Sequence, residues 1–357
     1  MAALRLAKLG ACRRIVRVQA ALADLRPSEA DMKILVRVFV GLLTTLAVVA
    51  ILIAASLYAG AARPEHPVGF HTVSVPNPQG KPLQVAIWYP TASRPGFRLV
   101  QFQPQVLASD GAVAGDDLPL ILISHGGGEP IAGRADSALA LASAGFVAAA
   151  VTHTDDETMD HRYVAMPRWL TDRPREIHIT LDYMLNHWPA RALLNPARVG
   201  IFGYSNGGIA ALISLGGVPN SAQFPARWAR PGVPGSSIPL SAWAHDPAIK
   251  AAVLAAPAAD FLFAPDGLSR VTAPVQLWNG TIDRIEPYEK NAALLRNLLP
   301  RPPELHLVPG AGHFTFVSPC PLVLAWAFFC TEAGGFDRAA FHRDFNRSVI
   351  AFYRRNL

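Results

Sequence analysis

From residue 68 onward, short runs that are apolar on both faces alternate with stretches whose apolar residues recur at helical spacing. The runs are Leu118 to Ile123, Phe146 to Val151, Val199 to Phe202, Ile249 to Leu254, Val275 to Trp278 and Leu305 to Val308. A strand covered by helices on both faces needs such a run, and parallel sheets are where that burial occurs. Helical patterns fall between and after them, at Ile131 to Ala144, Arg173 to Leu185, Asn206 to Leu215, Pro287 to Leu299 and Phe336 to Arg355. Two earlier segments, His71 to Val75 and Leu83 to Trp88, flank a Pro-Asn-Pro-Gln-Gly turn and read as an antiparallel pair at the sheet edge. The alternation predicts a mostly parallel, doubly wound α/β sheet with antiparallel N-terminal edge strands. Leading antiparallel strands and fewer than eight repeats argue against a closed barrel. The rhythm breaks over residues 216–247, rich in Pro, Gly and Ser with Trp228 and Trp243. A loop insertion of that length is either a lid or binding loop or a plain surface excursion.

Ahead of this domain the pattern changes. Val38 to Ala62 is 25 residues without a charge, preceded by Lys33 and Arg37. The run is long enough to span a bilayer, and its basic flank predicts a cytoplasmic N-terminal side with the remaining chain outside. Ala59-Gly60-Ala61 also fits a cleavage site, so a secretory signal peptide competes with an uncleaved anchor. The run exceeds the ~7–15 apolar residues of a signal peptide, which favours the anchor. A start at Met32 would leave a compact basic segment before the run, so no structure is expected of residues 1–31. The chain therefore divides into a basic leader (1–37), an anchor or signal peptide (38–62) and a folded domain (63–357).

Charge changes the picture little. Lys and Arg number 32 against 26 acids, but eight of the bases and three of the acids lie in residues 1–37. The domain is close to neutral and has no basic stripe with interleaved aromatics, which argues against a nucleic-acid partner. With 51% hydrophobic and 16% charged residues, the chain can bury one large core. Its body holds two cysteines, Cys320 and Cys330, which read either as a disulfide or as two buried thiols. Neither has the paired spacing of a zinc site, and no metal or cofactor is expected.

The chemistry collects at strand ends, where open α/β sheets bind ligands. Gly203-Tyr204-Ser205-Asn206-Gly207 joins the Val199 strand to the following helix, the setting of a nucleophile elbow. Asp283 follows the Val275 strand and His313 follows the Leu305 strand, giving the chain order serine, acid, histidine of an acyl-transfer triad. Asp260, beyond the Ile249 strand, is a rival acid. After the Leu118 strand comes His125-Gly126-Gly127-Gly128, whose glycines allow backbone N–H groups to approach a developing oxyanion. The expected donors are the N–H groups of Gly127 and Asn206. His125, Gly126, His153 and Tyr204 are expected to line the substrate mouth. The loop lacks a Walker lysine and the Gly-x-Gly-x-x-Gly spacing, so a phosphate cradle is disfavoured. Asp155, Asp156, Glu157 and Asp160 read as a solvated acidic loop rather than a calcium site. The helix from Arg173, with His178 and Asp182, reads as framework.

The segments Leu118 to Gly128, Arg173-Pro-Arg-Glu-Ile177, Gly203 to Gly208 and Gly310-Ala-Gly-His-Phe-Thr-Phe316, with Cys320 close behind, resemble the predicted dienelactone hydrolase group related to platelet-activating-factor acetylhydrolases. The resemblance covers residues 68–357. It implies an α/β-hydrolase fold and hydrolysis of short-acyl or other carboxylic esters, with Ser205, an aspartate and His313 carried over. Dienelactone hydrolases use a cysteine nucleophile where this chain has Ser205, which speaks against lactone specificity. The acetylhydrolase branch places its acid on the earlier strand, which keeps Asp260 open beside Asp283. The expected function is a serine esterase, exported or membrane-tethered, acting on a small-molecule ester. The alternatives are a lactonase and a non-catalytic hydrolase-fold binding protein at the membrane.

Overall fold

The computed structural model describes residues 28–154, 168–220, 244–260 and 262–357. The acidic loop at 155–160 and most of the 216–247 insertion, with Trp228 and Trp243, lie outside the described residues. The chain falls into two compact units that meet between Ser56 and Leu57.

Beyond Ser28, the described part of the first unit is helix α1, Glu29–Ala59, whose last three residues belong to the second unit and whose side chains are not buried in the protein. Ser28 begins it: its hydroxyl accepts the Asp31 N–H at 3.1 Å while the Asp31 carboxylate accepts the Ser28 N–H at 3.1 Å. This reciprocal cap satisfies donors that an uncapped helix start would leave open. The 31 residues of α1 extend about 46 Å, more than the ~30 Å of a bilayer's hydrocarbon.

The second unit is built on one sheet of strands β1 (Val68–Val75), β2 (Leu83–Pro90), β3 (Gly96–Val100), β4 (Gln103–Ser109), β5 (Leu118–Ser124), β6 (Val147–Thr152), β7 (Leu194–Tyr204), β8 (Ile249–Ala255), β9 (Val275–Gly280) and β10 (Glu304–Val308). Their spatial order is β10-β9-β8-β7-β5-β6-β2-β1-β4-β3. Strands β6, β5, β7, β8, β9 and β10 run parallel, and β2 is antiparallel to both β6 and β1. Every side chain of β5 and of β9 is buried, the burial that their unbroken apolar runs require.

Two cores cover the two faces. One packs helices α3 (Arg168–Asp182), α4 (Asn206–Ser214) and α5 (Ala292–Leu298) on the sheet through residues such as Ile177, Ile209 and Leu295. The other seats α2 (Ala135–Ser143) and α6 (Arg338–Asn356) through Ala138, Leu141, Phe345 and Phe352.

The expected edge pair is antiparallel, from Val68 opposite Pro90 to Val75 opposite Leu83. It is not at the edge. The hairpin β3–β4 continues the sheet beyond β1, with β4 running parallel to it. Its pattern was hidden because β4 buries two glutamines in place of apolar residues. Gln105 accepts from the Trp88 indole N–H at 3.0 Å and donates to the Ala135 carbonyl at 2.8 Å, so its amide is satisfied without water.

Candidate active site

Between β7 and α4 the chain reverses on one residue. Ser205 has φ 51° and ψ −121°, a conformation L-residues avoid, and it persists because the surroundings leave no alternative. A Cβ at Gly203 would lie 2.4 Å from the Gly207 carbonyl oxygen, and one at Gly207 would lie 2.1 Å from the Ser124 carbonyl oxygen. Strand, turn and helix therefore touch where only glycine fits, and the turn lifts the Ser205 hydroxyl clear of both elements.

Strand β9 delivers Asp283 to the same place, and β10 delivers His313. His313 Nε2 lies 3.1 Å from Ser205 Oγ, and its Nδ1 lies 2.9 Å from Asp283 Oδ2. The other carboxylate oxygen accepts the N–H groups of Ile285 at 2.9 Å and Glu286 at 2.8 Å, which fixes the carboxylate plane. Asp260 is exposed, its own N–H donates to Asn291 Oδ1 at 2.8 Å, and among the described residues it makes no hydrogen bond to His313. Glu286 is partly buried beside this group. Burial, and then the charges of Asp283 and Asp260, push its carboxyl up to about 8, so it is protonated near neutral pH.

The His125–Gly128 loop closes the other side. The N–H groups of Gly127 and Asn206 make no hydrogen bond to another described residue. The remaining expected mouth residues are placed differently. Tyr204 is buried, its hydroxyl donates to the His313 carbonyl at 3.1 Å, and the Arg134 guanidinium lies 4.1 Å from its ring centroid. His125, Gly126 and His153 are buried as well. Their depth follows from the strand ends they occupy, which are covered by α3 and by the loop itself.

No known family description matches the sequence, and no curated protein sequence matches it. Solved structures do. A ferulic acid esterase from Streptomyces cinnamoneus superposes with a TM-score of 0.63 at 20% identity, covering 84% of this chain and 92% of that one. A dienelactone hydrolase from Anabaena variabilis ATCC 29413 superposes with a TM-score of 0.50 at 18% identity, covering 82% and 100%. The chain has the α/β-hydrolase fold. At this identity the likeness carries the architecture, and the chemistry rests on the residues themselves.

Under the glycine loop lies a buried ionic scaffold. Arg173, on α3, donates to the carbonyls of His125 at 2.5 Å and Gly126 at 3.1 Å. Glu129 accepts the Gly126 N–H at 2.8 Å and pairs with Arg134 at 2.7 Å, and Arg134 also donates to the Phe316 carbonyl. Loop, tyrosine and histidine turn are thus tied into one network. The sequence held a partial signal for it, since Glu129 and Arg134 are isolated charges in a small and apolar stretch. Arg173 lies in a run with Asp172, Arg175 and Glu176 and does not stand out, and spacing alone did not show that these charges meet.

Glu176 is fully buried, 2.7 Å from His153 Nδ1, and accepts the Thr154 N–H at 3.2 Å. Burial pushes its carboxyl up from the usual 4.5 to about 7, although the Thr154 hydrogen bonds and Arg173 pull the other way. A carboxyl whose folded pKa is raised contributes its stability below the unfolded value and loses it as pH rises through the folded one. The wild-type Tm should therefore fall between pH about 4.5 and about 7 more steeply than that of Glu176→Gln, read by circular dichroism across that range. Parallel Tm profiles for the two proteins would sink the assignment.

Proposed function

We propose that the chain is a serine hydrolase of carboxylic esters, held by α1 at the outer face of a membrane. The observation that carries this reading is the unbroken line from Asp283 through His313 to Ser205, with Ser205 on a strained turn beside two unfilled N–H donors.

In that reading Asp283 keeps a proton on Nδ1, which leaves the Nε2 lone pair facing the hydroxyl. Ser205 Oγ attacks the ester carbonyl carbon while Nε2 takes its proton. The N–H groups of Gly127 and Asn206 donate to the oxygen that becomes negative, each worth ~10²–10³ in rate. Collapse expels the alcohol, which leaves with the proton from Nε2, and an acyl group remains on Ser205. Water, deprotonated by the same nitrogen, then releases the acid and restores the hydroxyl. The residues supply nucleophile, base and electrostatic stabilisation, so the chemistry calls for no metal or cofactor. The fold likeness to an esterase and a dienelactone hydrolase, and the serine nucleophile, support a short-acyl or other carboxylic ester as substrate.

The outward orientation follows from Lys33 and Arg37 before the apolar run, since basic flanks stay cytoplasmic. The length of α1 favours an anchor over a cleaved peptide.

An active-site-directed alkyl phosphonate tests the core of this. Incubated with the full chain, it should leave an adduct on the peptide containing Ser205 and abolish turnover of p-nitrophenyl acetate. No turnover by the untreated protein, together with no adduct, would refute the reading.

A further inference from the structure

Outside α1, seven large apolar side chains stand exposed among the described residues. Five of them, Ile282, Ile285, Leu322, Trp326 and Phe328, lie on the two loops that flank His313. The loop closed by the Cys320–Cys330 disulfide is the more unusual. Residues 319–331 contain no charge, and Leu322 and Trp326 are 78% and 80% exposed. Solvent-facing loops are ordinarily polar, and a contiguous apolar tip marks an interaction site.

The loop meets part of its own backbone needs. The N–H groups of Leu324, Ala325, Ala327 and Cys330 donate to carbonyls at 321, 322, 324 and 327, and the Trp326 indole N–H donates to the Val323 carbonyl at 3.0 Å. Each donor filled within the loop is one fewer left unpaired when the loop enters an apolar phase.

The protein also links this loop to the end of α1. Tyr58, in the last turn of α1, packs on Phe97 of β3 with ring centroids 5.8 Å apart. Ala62, three residues beyond α1, exchanges backbone hydrogen bonds with β4: it donates to the Pro104 carbonyl and accepts the Val106 N–H, both at 2.9 Å. At the other end of the hairpin, Phe102 lies 6.4 Å from Phe329, and Gln103 donates to the Pro319 carbonyl at 3.2 Å. Phe328 then packs on Phe314, the neighbour of His313, at 5.5 Å. The hairpin, with Leu99 exposed on it, thus spans from the end of the membrane helix to the disulfide loop. Tyr and Trp are the residues that settle at a bilayer's interface.

We propose that the Cys320–Cys330 loop rests in the interface of the bilayer that α1 enters, and that Ser205 takes its ester from that bilayer. The substrate is then a lipid-borne amphiphile with its acyl bond at headgroup depth. The docking stands on the apolar loop and the hairpin, whereas the substrate class rests on the hydrolase reading above.

The test uses the full chain in phosphatidylcholine nanodiscs with brominated acyl chains. Tryptophan fluorescence should show a quenched component that is lost in Leu322→Ser/Trp326→Ser and equally in the conservative Trp326→Phe, which removes the fluorophore with little change at the surface. Equal quenching in all three proteins, or quenching of none, overturns the docking, the latter even if the loop binds a protein partner instead. On a long-chain p-nitrophenyl ester dissolved in the bilayer, the double variant should lose about tenfold in kcat/KM while Trp326→Phe keeps its rate, and all should turn over water-soluble p-nitrophenyl acetate alike. Equal rates of wild type and double variant on the bilayer ester overturn the substrate class. Inactivity of the wild type on both esters defeats the hydrolase reading and with it the substrate class, and the quenching still decides the docking.

Discussion

Ser205→Ala is expected to lower kcat on p-nitrophenyl acetate by about 10⁶, the loss seen when a triad of this kind is deprived of its nucleophile. The structure predicts that this loss comes without unfolding. Among the described residues, the Ser205 hydroxyl hydrogen-bonds only to His313 Nε2, and the N–H that ties the turn down, donated to the Ala255 carbonyl at 3.0 Å, belongs to the backbone. Alanine carries the same Cβ as serine, so the cost of φ 51° is unchanged by the replacement. Two readouts therefore separate. Turnover collapses, while the Tm by circular dichroism stays near that of the wild type. The rate that remains should still exceed that of water by ~10³, because Gly127 and Asn206 continue to stabilise the oxyanion. A variant retaining more than about one per cent of wild-type turnover would place the nucleophile elsewhere.

Most of the frame behind this site was legible in the sequence because its determinants are local. Runs such as Leu118 to Ile123 and Val275 to Trp278 are apolar on both faces, and β5 and β9 occupy those positions with one or two residues added. The Gly-x-Ser-x-Gly turn was readable because Gly203 and Gly207 sit where a Cβ would strike backbone. Depth was not readable. His153 and Tyr204 follow or end strands that reach the site, and the sequence could not tell an open wall from the layer beneath it. Contacts between distant charges, such as Arg134 with Glu129 under the Tyr204 ring, leave no periodic trace. The β3–β4 hairpin escaped for a related reason, since Gln103 and Gln105 look solvated until their amide partners, 17 to 216 residues away, are known.

The choice of acid yields the second large effect. Asp283→Asn should lower kcat by about 10⁴, whereas Asp260→Asn should leave it within about twofold of the wild type. The asymmetry follows from which atoms hold the carboxylate. One Asp283 oxygen already accepts the N–H groups of Ile285 and Glu286, and only an oxygen can stay there. In the asparagine variant the amide NH₂ is therefore turned toward His313 Nδ1, 2.9 Å from the position now occupied by a carboxylate oxygen. An NH₂ there makes Nδ1 an acceptor, moves the ring proton to Nε2 and removes the lone pair that would deprotonate Ser205. The fold is spared, because both backbone donors keep their partner, so the loss is one of tautomer and charge. Asp260 is exposed and bonds through its backbone N–H to Asn291, so its side chain has no hold on the imidazole. The pH dependence offers a second check: in Asp283→Asn the remaining activity should rise toward alkaline pH, where hydroxide can replace the missing base, while Asp260→Asn keeps the wild-type profile. Loss of activity in Asp260→Asn with Asp283→Asn intact would transfer the orienting role to the earlier strand and require His313 to turn away from the carboxylate it now meets.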